Sequence, residues 1–101
     1  MIVYNITVKV DPAIEKQWLQ WQQQEHVPAI LASHQFTHWK IFRLLEQDDA
    51  EGMTFVIQFF ATTMDHYYRY VAQYETIMQQ QAFNKWGQRF VAFCTVMQAV
   101  N

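Results

Sequence analysis

The chain has 101 residues, room for one domain, and 51% of them are hydrophobic and 17% aromatic, which excludes an intrinsically disordered chain. Seven Lys and Arg against nine Asp and Glu give a formal net charge of −2, and without a basic block there is no electrostatic footprint for nucleic acid. Charged residues make up 16% against an ordinary ~25%, a shortage that points to surface meant to be covered.

Ile2, Tyr4, Ile6, Val8 and Val10 alternate with Val3, Asn5, Thr7 and Lys9, the period-2 pattern of a strand. Asp11-Pro12 ends it and starts a helix, with Asp11 as N-cap. Ile14, Trp18 and Trp21, widened by Leu19, form one apolar stripe on that helix. Pro28 is expected to kink the chain near Glu25-His26-Val27, and a short second helix follows to about Ala32. Residues 36–46 read as a strand, the acidic stretch 47–52 as a solvated turn, and Met53 to Ala61 as the return strand of a hairpin.

Thr62 or Thr63 is expected to cap the next helix, with Asp65 favourable at its N-terminal dipole. Tyr67, Tyr70, Val71, Tyr74, Ile77 and Met78 then recur at helical spacing, and Gly87 ends the run past Phe83 and Trp86. The glutamine clusters 22–24 and 79–81 read as solvated helix faces. Residues 89–100, rich in Phe, Val and Thr, form the last strand. The single cysteine, Cys94, makes no internal disulfide, so a cytoplasmic location is expected. The N-terminus lacks the basic region and cleavage site of a secretory signal, and no apolar run approaches ~18 residues, so no membrane partner is expected.

The βαββαβ order predicts a ferredoxin-like α+β fold over residues 1–101: a four-stranded antiparallel sheet with both helices on one face. The last strand contradicts a wet opposite face. Val91, Phe93, Thr95 and Met97 line one of its sides and Phe90, Ala92, Cys94 and Val96 the other. A bare sheet face of roughly 400 Å² marks a contact surface. A homodimer through paired sheets is therefore expected.

The segments Tyr4-Asn5-Ile6-Thr7-Val8-Lys9-Val10, Trp18-x-x-Trp21, Glu25-His26-Val27-Pro28, Phe36-Thr37 and Arg89-Phe90-Val91-Ala92-Phe93 resemble the family called domain of unknown function 4286. The resemblance runs from end to end and implies membership of the dimeric α+β barrel group. That group includes cofactor-independent monooxygenases, isomerases, mutarotases, haem-dependent enzymes and pure ligand-binding modules. It implies an assembly more than a chemistry.

His26 is the leading candidate. It precedes a proline at a helix break, and the His-x-Pro element is similar to one that places a pocket histidine in some dimeric-barrel enzymes. There it serves acid–base work or hydrogen bonding; the competing role is a cap on helix carbonyls. Asn5, Thr7 and Gln58 are polar positions in apolar strands, and Asn5 and Gln58 are expected either to share a ligand cavity or to make cross-strand hydrogen bonds. Arg43 and Arg89 are charges beside buried strands, needing an anionic ligand or a rim carboxylate. Trp21, with the other tryptophans and the Tyr67-Tyr70-Tyr74 stripe, belongs to the core or lines an aromatic pocket. No metal is expected, because His34 and His38 stand ~13 Å apart on a strand. No cofactor is expected either: two glycines build no phosphate-cradling loop. Cys94 reads as an inert buried thiol.

The sequence thus supports a small-ligand-binding homodimer, an enzyme of the same group using His26, or an interaction domain without a pocket.

Overall fold

A computed structural model describes residues 1–101. Strand β1 (Ile2–Val10) lies between β3 (Met53–Ala61) and β4 (Phe90–Gln98), and β2 (His38–Arg43) pairs with the far side of β3. The sheet order is β2-β3-β1-β4 with every neighbour antiparallel. This is the βαββαβ ferredoxin-like arrangement. The bounds of β1 and β3 agree with the alternation read from sequence. β2 is shorter than residues 36–46, because Glu46 takes a left-handed φ of 58° and the chain leaves the sheet.

Between β1 and β2 one helix runs in three parts: α1 (Glu15–Trp21), a π-helical turn (Gln22–His26) and α2 (Val27–Leu31). Asp11 does not cap it. Its Oδ1 accepts from the Ala13 N–H at 2.8 Å, an Asx turn that delays the helix to Glu15. Pro28 does not break the helix either. In a regular α-helix its ring collides with the carbonyl four residues earlier. Here the Val27 N–H reaches back five residues to the Gln22 carbonyl. That widened turn shifts the ladder by one residue and accommodates the proline.

The second crossover repeats the device: α3 (Met64–Tyr70), a π-helical turn (Val71–Glu75) and α4 (Thr76–Trp86). Thr63 occupies the N-cap in an extended conformation, without a side-chain hydrogen bond. Gly87 closes α4 at φ 60°, its N–H donating to the Phe83 carbonyl at 2.7 Å. The inserted residue retards the apolar face by about 100°. Ile77, expected inside, is therefore 54% exposed, while Met78 and Ala82 turn inward.

The pleat and the register divide the sheet residues between two faces. Tyr4, Val8, Val10, Phe55, Ile57 and Phe59 face the helices, where they meet Ile14, Trp18, Val27, Ile30 and Tyr70 in one buried core. Tyr4 stacks on Phe36 at 5.9 Å and contacts Tyr70 at 5.4 Å. Burying each such ring contributes roughly 2–3 kcal/mol. At the hairpin, Gly52 adopts φ 131° with its Cα against the Val10 carbonyl, where a Cβ would collide with that oxygen.

The opposite face has no cover within the chain. Val91 is 71% and Phe93 61% exposed, and Phe42 and Met97 are exposed as well. Across its middle runs a polar stripe in which Gln58 Nε2 donates to Asn5 Oδ1 at 3.4 Å and Asn5 Nδ2 to Thr7 Oγ1 at 3.2 Å.

Candidate functional site

A half-open cavity of about 320 Å³ lies between the helices and the helix-facing side of β1, β3 and β4. Thirteen of its sixteen lining residues are hydrophobic, among them Ile6, Trp18, Ile57, Phe90 and Ala92. It exists because β4 is an edge strand whose helix-facing side α4 leaves partly uncovered: Cys94 and Val96 remain exposed there. Volume of this kind, mostly apolar with a few polar groups, is the usual form of a small-molecule site.

His26 sits in its wall, 8% exposed. The π-turn brings His26 and Gln22, four residues apart, to the same inward face. Nδ1 lies 3.0 Å from Gln22 Oε1 and Nε2 lies 3.4 Å from the Met78 carbonyl oxygen. A neutral imidazole has one N–H for these two acceptors. One ring nitrogen therefore carries the proton and the other keeps a lone pair. Trp21 stacks on the ring at 4.5 Å and 13°, and Trp86 meets Trp21 edge-on at 5.9 Å. Burial pushes the His26 pKa down to about 4, and the Met78 carbonyl offsets only part of that. At neutral pH the ring is uncharged and offers a lone pair. It can accept a hydrogen bond or a proton from a ligand, and is not a resident acid.

The other end of the cavity carries Tyr4, Tyr70, Gln79 and Cys94. The Tyr4 hydroxyl donates to Glu75 Oε2 at 2.8 Å and lies 3.4 Å from Cys94 Sγ. Burial raises the pKa of Tyr4 far above the ordinary phenol value; it also raises that of Tyr70, with a second contribution from the Glu75 charge. Cys94 is pushed up by burial and by Glu75, against opposing hydrogen bonds from Tyr4 and Gln79. The thiol is a protonated wall group rather than a nucleophile. Cys94 is only partly covered: its thiol faces the cavity wall, but the residue as a whole is exposed on its edge strand, so it is not the fully buried cysteine expected.

Sequence-derived candidates divide between the two faces. His26 and Trp21 belong to the cavity side, Trp21 as the backing of the histidine. Asn5, Thr7 and Gln58 do come together, as cross-strand register requires, but on the open face with the sheet between them and His26. Period-2 geometry forces this: odd residues of β1 point away from the helices. Arg43 ends an edge strand, exposed and in no ion pair, so the burial that would require an anion is missing. Arg89 is exposed beside a shallow groove with Lys9, Asp11 and Glu51; only its backbone is engaged, accepting from the Asp11 N–H at 2.9 Å. Neither arginine reaches the His26 cavity.

Sequence reasoning missed Gln22, Glu75 and Gln79. Gln22 is 3% exposed although its cluster reads as solvated; Gln79 is exposed, as its cluster reads, and also borders the cavity. The i, i+4 spacing of Gln22 and His26 was the available signal. Glu75 gave none, because its partner Tyr4 is 71 residues away.

A family profile described as "Domain of unknown function (DUF4286)" matches residues 1–100. No functionally curated protein matches the sequence. Among solved structures, a dimeric ferredoxin-like protein from an uncultured marine organism is similar at TM-score 0.76 and 8% identity, covering 99% of this chain and 95% of that one. HapK from Hahella chejuensis is similar at TM-score 0.71 and 13% identity, over 100% and 94% of the two chains. SnoaB from Streptomyces nogalater, a cofactor-independent oxygenase, is similar at TM-score 0.66 and 13% identity, over 99% and 93%. At these identities the likeness concerns the fold.

Proposed function

The chain belongs to the DUF4286 family, and from that premise we propose that it is a small-molecule-binding protein that works as a cytoplasmic homodimer. One observation carries the reading: a largely apolar cavity of about 320 Å³ whose wall holds a buried, neutral histidine fixed by Gln22 and Trp21. A buried imidazole loses hydration, and a ligand hydrogen bond to the ring restores what burial removed. The dimer is supported by the uncovered face, with Val91, Phe93, Phe42 and Met97 exposed, and by the dimeric protein of similar fold. Apolar patches on this scale mark contact surfaces, and pairing like faces is the isologous solution.

Calorimetry with 2-(1-naphthyl)ethanol tests the cavity reading. Wild type binds it, and His26→Ala weakens it by about tenfold, the worth of one hydrogen bond. Absence of binding by this probe and by a wider panel of neutral aromatic alcohols and amides contradicts the reading.

A second reading is supported by the similarity to the cofactor-independent oxygenase: an enzyme of the same fold group in which the His26 ring takes a proton from the substrate. With its pKa near 4, His26 is a weak base unless substrate binding raises it. In that case His26→Ala abolishes turnover while binding persists.

A further inference from the structure

Trp18, Gln22 and His26 stand at four-residue spacing along the first crossover helix, and all three line the cavity. Gln22 is the first residue of the π-turn and only 3% exposed. One end of its carboxamide is committed, with Oε1 lying 3.0 Å from His26 Nδ1. The other end, Nε2, has no hydrogen-bond partner in the chain. The buried side-chain polar atoms that lack both a partner and accessible surface are Asp49 Oδ1 and Trp86 Nε1, and Gln22 Nε2 is not one of them. The amide therefore keeps open space in front of it, and for a residue buried to this degree that space is the cavity. A buried donor left unpaired costs about 1–3 kcal/mol. Most of the wall is apolar, and no Lys, Arg, Asp or Glu lines it.

Resting on the cavity reading above, we propose that the ligand is an uncharged aromatic carbonyl compound whose oxygen accepts a hydrogen bond from Gln22 Nε2, its hydrocarbon body filling the apolar remainder of the cavity. The carboxamide is a donor held in place: His26 anchors its oxygen, and Trp21 in turn stacks on the His26 ring at 4.5 Å. His26 thereby positions Gln22. A ketone or amide oxygen completes the donor and brings no charge with it. A carboxylate or an ammonium group enters a wall without counter-charge and loses its hydration without return. A pure hydrocarbon leaves the amide bare. A single polar group in an apolar cavity fixes the orientation of what binds there.

The test uses three probes of one size: propiophenone, propylbenzene and phenylacetate. Calorimetry near neutral pH compares wild type with Gln22→Met, which keeps the length of the side chain and removes its donor. The substitution should weaken propiophenone by about 3- to 10-fold, the worth of one neutral hydrogen bond, and leave propylbenzene as tight or tighter. Phenylacetate should bind wild type most weakly. The carbonyl stretch of bound propiophenone reads the contact itself and should lie at lower frequency in wild type than in Gln22→Met. A ketone affinity, relative to propylbenzene, that survives the substitution overturns the proposal and leaves the cavity reading standing; so does tightest binding by phenylacetate. Should the variant fail to fold, the stretch in wild type is enough: the position found in a hydrocarbon solvent overturns the proposal, and the lowered position found in an alcohol supports it. If neither neutral probe binds while 2-(1-naphthyl)ethanol does, the proposal alone falls. If none of these binds, both fall.

Discussion

Acidification should destabilise the protein through His26, and the size of the effect follows from its burial. Unfolded, the side chain titrates near its ordinary 6.5; folded, its pKa lies near 4. Between those values the unfolded chain binds the extra proton and the folded chain does not. Stability associated with the neutral ring is therefore complete above about pH 6.5 and is lost as pH falls toward about 4. A gap of 6.5 − 4 = 2.5 pH units, at about 1.4 kcal/mol per unit, amounts to about 3.5 kcal/mol in full, of which about 3 kcal/mol is lost by pH 4. Carboxylates also titrate at the acid end, so the informative quantity is the difference between wild type and His26→Asn, which removes the titration. Urea unfolding at fixed protein concentration, repeated from about pH 7.5 to about pH 4, should show wild type losing about 3 kcal/mol relative to the variant. A flat difference across that range would mean that water reaches the ring and that the cavity wall is not built as described.

Other consequences are open to measurement. Gly52→Ala should cost about 2–3 kcal/mol in urea unfolding, because both φ 131° and the Val10 carbonyl oppose a Cβ. Gly87→Ala should cost a similar amount, about 2–3 kcal/mol, although no atom crowds it, because φ 60° with ψ −129° is a conformation that glycine alone adopts readily. Sedimentation of wild type at micromolar concentration should report twice the chain mass, and Phe93→Glu in the middle of the open face should give a monomer with its melting behaviour otherwise cooperative. A wild-type monomer removes the sheet-pairing reading. Tyr4→Phe should destabilise by about 1–2 kcal/mol, because Glu75 loses its donor.

The strands were legible because alternation is a local signal and antiparallel register preserves it. β1 and β3 could be bounded from Ile2–Val10 and Met53–Ala61 alone, and the two-sided apolar character of β4 was visible in residues 90–97. The helix interiors were less legible. A π-turn leaves no mark in composition, since it shifts the hydrogen-bond ladder rather than the residue types. Pro28 therefore read as a break, and Ile77 read as core. Gln22 was misplaced for a plainer reason: it lies one turn beyond Trp18 on the inward stripe, whereas the cluster 79–81 is exposed as its composition suggests. Asn5, Thr7 and Gln58 were grouped correctly by register, but only the three-dimensional placement of the helices assigns them to the face opposite His26. Glu75 lay beyond local reasoning, because its environment is assembled from β1, α3 and β4.

The claim on which the functional reading rests is that ligands enter between the helices and the sheet, and not against the exposed sheet face. Side-chain nuclear magnetic resonance signals separate the two directly. On titration with 2-(1-naphthyl)ethanol, the Trp18 indole N–H, the Gln22 amide and the His26 ring should shift together, while the side-chain amides of Asn5 and Gln58 stay in place. Shifts confined to Asn5, Gln58 and the neighbouring Phe93 would put the ligand on the wrong side of the sheet and contradict the account.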